Sequence, residues 1–207
     1  MAFEIVKPED IEKRSMEIIT SELRGRTWDE PRFSIIKRCI HTSADFDYAD
    51  NLTFSDNAEN TGVELIRGGA HIVTDTKMAA AGINKNRLRS FGGEVHCYIS
   101  DEDVVAEARD RGVTRATVAM EKAFELEGPT IFAIGNAPTA LFSICDLVKK
   151  GATPPALVIG VPVGFVNITE AKEEVMKIGA PYIVARGRKG GSGIAATICN
   201  AMIYYNG

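Results

Sequence analysis

Cysteine is scarce and scattered. The chain has four, Cys39, Cys97, Cys145 and Cys199, far apart and inside apolar segments. That pattern has neither the density of a disulfide scaffold nor the close pairing of a zinc site, so buried free thiols are expected. Histidine is scarcer still, with three in 207 residues. None stands in an HExxH or comparable metal-ligand spacing. His71 and His96 each lie at or within an apolar strand-like run, where a histidine is more often satisfied inside the core than bound to a ligand. Nowhere do eighteen uncharged apolar residues follow one another, which leaves no candidate for a membrane-spanning helix. The opening MAFEIVKPEDIEKRS is charged too early for a signal peptide, and a cytoplasmic protein is expected. Repeats of fixed period and low-complexity stretches are absent, and a single domain over 1–207 is the simplest organisation.

Other absences narrow the chemistry. The net charge is −4 and no basic run carries interleaved aromatics, which argues against nucleic acid and anionic membrane as partners. There is no GxSxG elbow, P-loop or GxGxxG fingerprint, so neither the Ser-His-Asp hydrolases nor the common nucleotide-binding folds are indicated. Asp45, Asp47, Asp50 and Asp56 lack the glycine and terminal glutamate of an EF-hand and read as a solvated acidic loop. No cofactor motif is found.

The hydrophobic pattern is informative. Residues 9–23 predict a helix with Ile11, Ile18 and Ile19 on one stripe. Ser15 falls on that stripe, where its hydroxyl either bonds back to the helix or faces a ligand. Ser55 or Asp56 can cap a helix running to Arg67, which Gly68-Gly69 ends. Short apolar strands are expected over 70–75, 95–99, 131–134, 157–161 and 182–185, with a short helix or turn over 78–83, helices over 101–111, 114–126, 169–178 and 194–204 and another after the third strand. Ser100 or Asp101 is the expected cap of the 101–111 helix, and the polar, basic stretch 84–93 reads as a loop. Apolar strands alternating with helices predict an α/β protein of three layers, α/β/α, with a largely parallel central sheet and a helical N-terminal segment. In such a sheet ligands bind beyond the strands' carboxyl ends. The turns GNAP (135–138), GVPVG (160–164) and RGRKGGSG (186–193) should therefore open on one rim. RGRKGGSG is either a cradle for a carboxylate or phosphate or a purely structural turn.

The stretch 31–47, PRFSIIKRCIHTSADFD, carries the clearest candidate chemistry. Pro31 suits the first turn of a helix, and Ile36, Cys39 and Ile40 recur on one buried face. Counting back from His41 by three and seven residues reaches Arg38 and Ser34, so these share a side, with Lys37 beside them. A cation next to an imidazole disfavours its protonation and a bound polyanion restores it, so this histidine can take up a proton as an acidic substrate arrives. An ordinary solvated histidine near a helix end is the plain alternative. Cys39 and His41 point apart, so a thiolate–imidazole pair is not expected. Lys37 and Arg38, Arg115, and Arg186, Arg188 and Lys189 are the local cation clusters available to an anionic ligand.

Four segments together go further: KRCIHTSADF around His41, IGNAPTALF at 134–142, PALVIGVPVGFVNITEAKE at 155–173, and ARGRKGGSGIAATICNA at 185–201. Taken together they resemble the precorrin-8X methylmutase family, the precorrin isomerases of corrin biosynthesis, and the similarity runs from IEKRSMEII to the closing helix. The resemblance implies an intramolecular methyl migration from ring carbon 11 to ring carbon 12 of a tetrapyrrole. The product would be hydrogenobyrinate or its cobalt counterpart, cobyrinate. It implies that His41 is the histidine that protonates or tautomerises the ring so that a 1,5-sigmatropic shift can proceed. Ser15, in EKRSMEII, and Arg38, in KRCIH, match the family's substrate-contacting serine and arginine. Arg115 matches a family TRS segment, with Ala116 replacing the serine. Arg186 and Arg188 would hold carboxylate arms. No cofactor or protein-bound metal is implied, since any cobalt arrives inside the substrate. A homodimer or higher homo-oligomer is implied, to which the apolar C-terminal AMIYYN could contribute. The alternative of another class is a non-catalytic protein that binds or sequesters a corrinoid.

Overall fold

A computed structural model describes residues 6–206. The first residues of the charged opening stretch, 1–5, and residue 207 lie outside the described part. After a 3-10 turn at Pro8–Asp10 come helices α1 (Ile11–Glu22), α2 (Arg32–Ser43) and the short α3 (Tyr48–Asn51), then strand β1 (Leu52–Phe54) and α4 (Ala58–Arg67). The chain continues with β2 (His71–Thr74), α5 (Lys77–Gly82), α6 (Lys85–Ser90), β3 (Val95–His96), α7 (Glu102–Arg111) and α8 (Arg115–Ala123). It closes with β4 (Thr130–Ile134), α9 (Pro138–Lys149), β5 (Leu157–Gly160), α10 (Ile168–Val175), β6 (Tyr182–Ala185) and α11 (Ser192–Tyr204).

The strands form one six-stranded sheet in the order β1-β6-β5-β4-β2-β3, parallel throughout except for β1. Successive side chains of a strand point to opposite faces, so each short apolar run feeds two cores. Ile72, Ile131, Leu157 and Ile183 join the core under α1, α2, α4, α5 and α11. Their neighbours Val73, Phe132, Val158 and Val184 join the core under α7 to α10. Helix α11 has buried side chains all round, as befits a helix between the sheet and an outer layer; α2 packs on it, and Thr42 and Thr197 share a hydroxyl hydrogen bond of 2.9 Å.

Several expectations are corrected. Residues 84–93 are not a loop: the Asn84 side chain accepts from Arg87 N–H and caps α6, and the Arg87 guanidinium donates to the Ile203 carbonyl at 3.0 Å. The 95–99 strand shrinks to two residues, and β1, absent from the expectations, pairs antiparallel with β6. Neither Ser55 nor Asp56 caps α4. Its N-cap is Asn57 in a left-handed conformation, while Ser55 Oγ accepts from Tyr182 N–H at 2.9 Å. Asp101 does occupy the N-cap position of α7, as expected, but its side chain makes no capping hydrogen bond and instead accepts from Lys122 Nζ at 2.9 Å. Ile11 and Ile18 are exposed and only Ile19 of that stripe is buried. The acidic loop is ion-paired rather than merely solvated, with Asp50 on Arg26 at 2.7 Å and Asp45 and Asp47 on Lys189. Met202 and Ile203 of the C-terminal end are core residues. Cys39, Cys145 and Cys199 are buried, whereas Cys97 is only half-buried. His71 and His96 satisfy each other, Nδ1 to Nε2, at 3.2 Å.

The upper edge of the sheet is tied by Asp75, directly after β2. Its buried carboxylate accepts three backbone N–H groups of the turn after β4, from Gly135 at 2.9 Å, Asn136 at 2.8 Å and Ala137 at 2.6 Å. Burial raises its carboxyl pKa above the ordinary value, and the three donors work against that rise. Asp75→Ala leaves three amide donors without their acceptor, and we expect a loss of about 3–5 kcal/mol in denaturant unfolding with an unchanged m-value.

Candidate functional site

His41 lies in the last turn of α2, which ends where Ala44 turns left-handed at φ 54° and its N–H bonds to the Ile40 carbonyl at 2.7 Å. The imidazole is exposed and makes no hydrogen bond or ion pair among the described residues. It lines a cleft of ≈ 220 Å³ between α1 and α2 together with Ser15, Ile18, Ile19, Glu22, Ile40, Ala44 and Phe46. Ser15 thus faces the same cleft from α1, and its hydroxyl donates back to the Ile11 carbonyl at 3.0 Å. That bond uses the proton and leaves the oxygen's lone pairs free to accept. Arg38, one turn below His41, also faces α1, where its guanidinium meets Glu12 at 3.1 Å. Lys37 does not stand beside the imidazole: its ammonium lies 4.1 Å from the centroid of the Phe33 ring.

The three glycine-rich turns follow parallel strands and meet on the carboxyl rim. The Gly191 N–H donates to the Val161 carbonyl at 2.8 Å and the Gly164 N–H to the Arg188 carbonyl at 3.2 Å. Gly135 packs so closely that a Cβ there would stand 2.7 Å from the Ser192 Cα. At Gly190, with φ of +153°, an added Cβ would run into the Val161 carbonyl oxygen, so only glycine fits. Lys189 then bridges this rim to the His41 corner, its ammonium 2.6 Å from Asp45 and 2.5 Å from Asp47. The Lys189 hydrogen bond holds the Asp45 carboxyl below the ordinary carboxylate range.

The nominated arginines are placed differently. Arg186 makes a two-pronged pair with Glu173, at 2.9 and 2.8 Å, so it is already satisfied within the protein. Arg188 has no carboxylate partner among the described residues, and its guanidinium lies 5.4 Å from the Phe165 ring centroid. Arg115 opens α8 as an exposed cation with no ion-pair partner among the described residues. The Thr114 hydroxyl donates to Thr139 Oγ1 at 2.9 Å and sets the starts of α8 and α9 side by side on that rim, on the sheet face opposite α2. Ala116 is buried in the core. Ser15, Arg38 and His41 therefore form one corner, Arg186 and Arg188 the adjoining turn, and Arg115 the far side of the same edge. Among the described residues no group of three or more His, Cys, Asp and Glu side chains is arranged to hold a metal ion.

Lys172 of α10 escaped the sequence reading. It is fully buried, and its ammonium donates to the Gly187 carbonyl at 2.8 Å and the Lys189 carbonyl at 2.9 Å, gripping the 186–191 turn from beneath. The signal was available: Ile168, Ala171, Lys172 and Val175 all fall on the buried side of the helix, a lysine where an apolar residue is the rule. Desolvation lowers its pKa to about 8.

The precorrin-8X methylmutase family model matches residues 10–205. The chain belongs to the precorrin-8X methylmutase family. The cobalt-precorrin-8 methylmutase of Salmonella typhimurium is 45% identical over 208 residues, covering 97% of each chain. That of Priestia megaterium is 44% identical over 197 residues, 95% of this chain and 88% of that protein. Among solved structures, the precorrin-8x methyl mutase of Thermus thermophilus superposes with a TM-score of 0.84 at 40% identity, covering 94% of this chain and 96% of that one. Family membership agrees with the mixed α/β sheet flanked by helices, and the enzymes so named are isomerases.

Lys172 generates a pH-dependent expectation. The unfolded chain holds this proton up to about pH 10.5 and the folded protein only up to about pH 8, so unfolding takes up a proton between those values. The group's contribution to stability therefore rises with pH through that window. In Lys172→Met this upward slope disappears relative to the wild type, as read by thermal unfolding from pH 7 to 10. Amide exchange in the 186–191 turn accelerates at the same time.

Proposed function

We propose that this family member is an enzyme of corrin biosynthesis that converts precorrin-8X or cobalt-precorrin-8 into hydrogenobyrinate or cobyrinate. The step is the shift of one methyl group from ring carbon 11 to ring carbon 12, with His41 as general acid. The observation that carries the reading is the placement of His41. It is an exposed imidazole with no partner among the described residues, in a cleft shared with Ser15 and one helical turn from Arg38, and the segment just after its helix is tied to the glycine-rich rim by the Lys189 pairs with Asp45 and Asp47.

The chemistry asks little more of the protein. Substrate and product are isomers, so a proton lent to the ring must return, and one histidine serves both directions. A proton placed on the conjugated system reorganises its double bonds so that the methyl group can move within the substrate. A well-placed general acid contributes about two to four orders of magnitude in rate, and holding the ring in one tautomer and shape contributes the remainder. The peripheral acetate and propionate arms suit arginine, whose planar guanidinium can grip a carboxylate with two hydrogen bonds. Ser15 is placed to accept a hydrogen bond at the cleft. Arg38 would exchange Glu12 for a substrate arm, while Arg115 and Arg188 are free to engage without such an exchange. Arg186 would have to leave Glu173, which makes it the weakest of the nominated ligands.

His41→Ala should lower turnover by about two to four orders of magnitude while product affinity stays within a few-fold. The test is anaerobic incubation with precorrin-8X and, separately, cobalt-precorrin-8, following the absorption spectrum and assigning the product by NMR. Unimpaired turnover by the variant would reject the role of His41. Stoichiometric product binding by the wild type with no conversion of either substrate would instead assign a corrinoid-sequestering protein.

A further inference from the structure

The turn that follows β5 leaves its apolar side chains bare. Phe165 is 82% exposed and Val166 74%, with Val163 half exposed beside them. Met78, another bare apolar side chain, opens α5 on the same edge of the sheet. The turn is nonetheless well anchored. Buried Pro162 and Ile168 bracket it, and a Cβ on Gly164 would touch the Ile168 side chain at 3.2 Å. Exposure here is thus not the fraying of a loose loop. An aromatic ring held rigidly in water, with two valines around it, is the kind of patch that marks a binding surface.

Its neighbour decides what it suits. The Arg188 guanidinium lies 5.4 Å from the Phe165 ring centroid. Its backbone is fixed on three successive carbonyls: Gly187 and Lys189 by the Lys172 ammonium, and Arg188 itself by the Gly164 N–H. Of the three cations on this turn, Arg186 and Lys189 are occupied by carboxylates and Arg188 is not. The patch therefore presents a flat apolar surface with one available positive charge at its edge. The complement is a flat conjugated ring with carboxylates at its periphery.

We propose that Phe165, flanked by Val163 and Val166, is the seat for one face of the macrocycle, and that Arg188 takes a carboxylate arm at that ring's edge. This rests on the corrinoid reading above and adds to it a residue that motif and spacing alone did not single out. The Phe165 ring gains contact on the side away from the Arg188 guanidinium, which in the free state faces water. Stacking of a ring on this aromatic side chain adds to the area it buries, so truncation should weaken binding about tenfold or more.

The test is a titration of the full-length protein with hydrogenobyrinic acid, read by the ligand's absorption, for wild type, Phe165→Ala, Phe165→Trp and Arg188→Gln. The expected result is a Kd raised about tenfold in Phe165→Ala and in Arg188→Gln, and near wild type in Phe165→Trp, with melting temperatures unchanged because both side chains are solvent-facing. Wild-type affinity in Phe165→Ala overturns the seat while leaving the isomerase reading intact, provided that the wild type converts substrate. Loss of binding accompanied by a drop in the solution mass of Phe165→Ala also overturns it, and makes the turn a contact between copies of this chain. A wild type that neither binds nor converts the corrinoid overturns both readings.

Discussion

A buried carboxylate that accepts three amide hydrogens in a row fixes two turns at once. Asp75 leaves β2 and draws in the Gly135-Asn136-Ala137 turn beyond β4, so adjacent parallel strands cannot slide or splay at their carboxyl ends. The rest of the rim is built against that tie. With the turn fixed, Gly135 can lie against the start of α11, where the Thr76 and Ser192 hydroxyls meet at 2.8 Å. The start of α11 in turn fixes the end of the Arg186–Gly191 turn, whose last N–H reaches the end of β5. Charge buried without a counter-charge is costly unless every acceptor is used, and here amides supply what a cation otherwise would.

Lys172 is the counterpart of opposite sign. A carboxylate gathers amide hydrogens on one part of the rim and an ammonium gathers carbonyls on another. Both charges are spent on backbone rather than on side chains. This leaves the side-chain cations at the edge to be sorted by their partners. Arg186 and Lys189 are matched internally, which keeps an acidic protein's rim from being indiscriminately basic, while Arg188 and Arg115 have no carboxylate partner among the described residues. On the proposed reading, selectivity for a large polycarboxylate would come from the few positions left open and their spacing, more than from net charge.

The strands β2, β4, β5 and β6 and the turns after them were legible because short β-branched runs bounded by glycine and proline have few other readings. Strand β1 was not. Leu52-Thr53-Phe54 is three residues inside a polar stretch, and what makes it a strand is its pairing with Ile183 to Ala185, far along the chain. Helix α6 was hidden for a similar reason: it buries only Leu88 and is held by Arg87 reaching the C-terminal residues, a contact no local pattern contains. At the candidate site, the i, i+3 relation of Arg38 and His41 was readable on α2, and both do face α1. That α1 would bring Ser15 to the same cleft came only through the family resemblance. Arg186 and Arg188 look equivalent in RGRKGG, yet one finds Glu173 and the other Phe165, a difference set by the packing of α10 and the β5 turn.

The burial of the thiols has a practical side. Cys39, Cys145 and Cys199 sit where desolvation raises their pKa values, to about 11 for Cys145 and about 12 for Cys199, so at neutral pH they stay protonated and shielded. A thiol must ionise and be reached before it reacts with an electrophile or oxidant. Half-buried Cys97, directly after β3 and beside the His71–His96 pair that links β2 to β3, is the one address left for a thiol-directed reagent. A spin label or fluorophore supplied to the native protein would thus report from the carboxyl end of the sheet's edge strand, beside the end of β2, without any cysteine having to be engineered in or out.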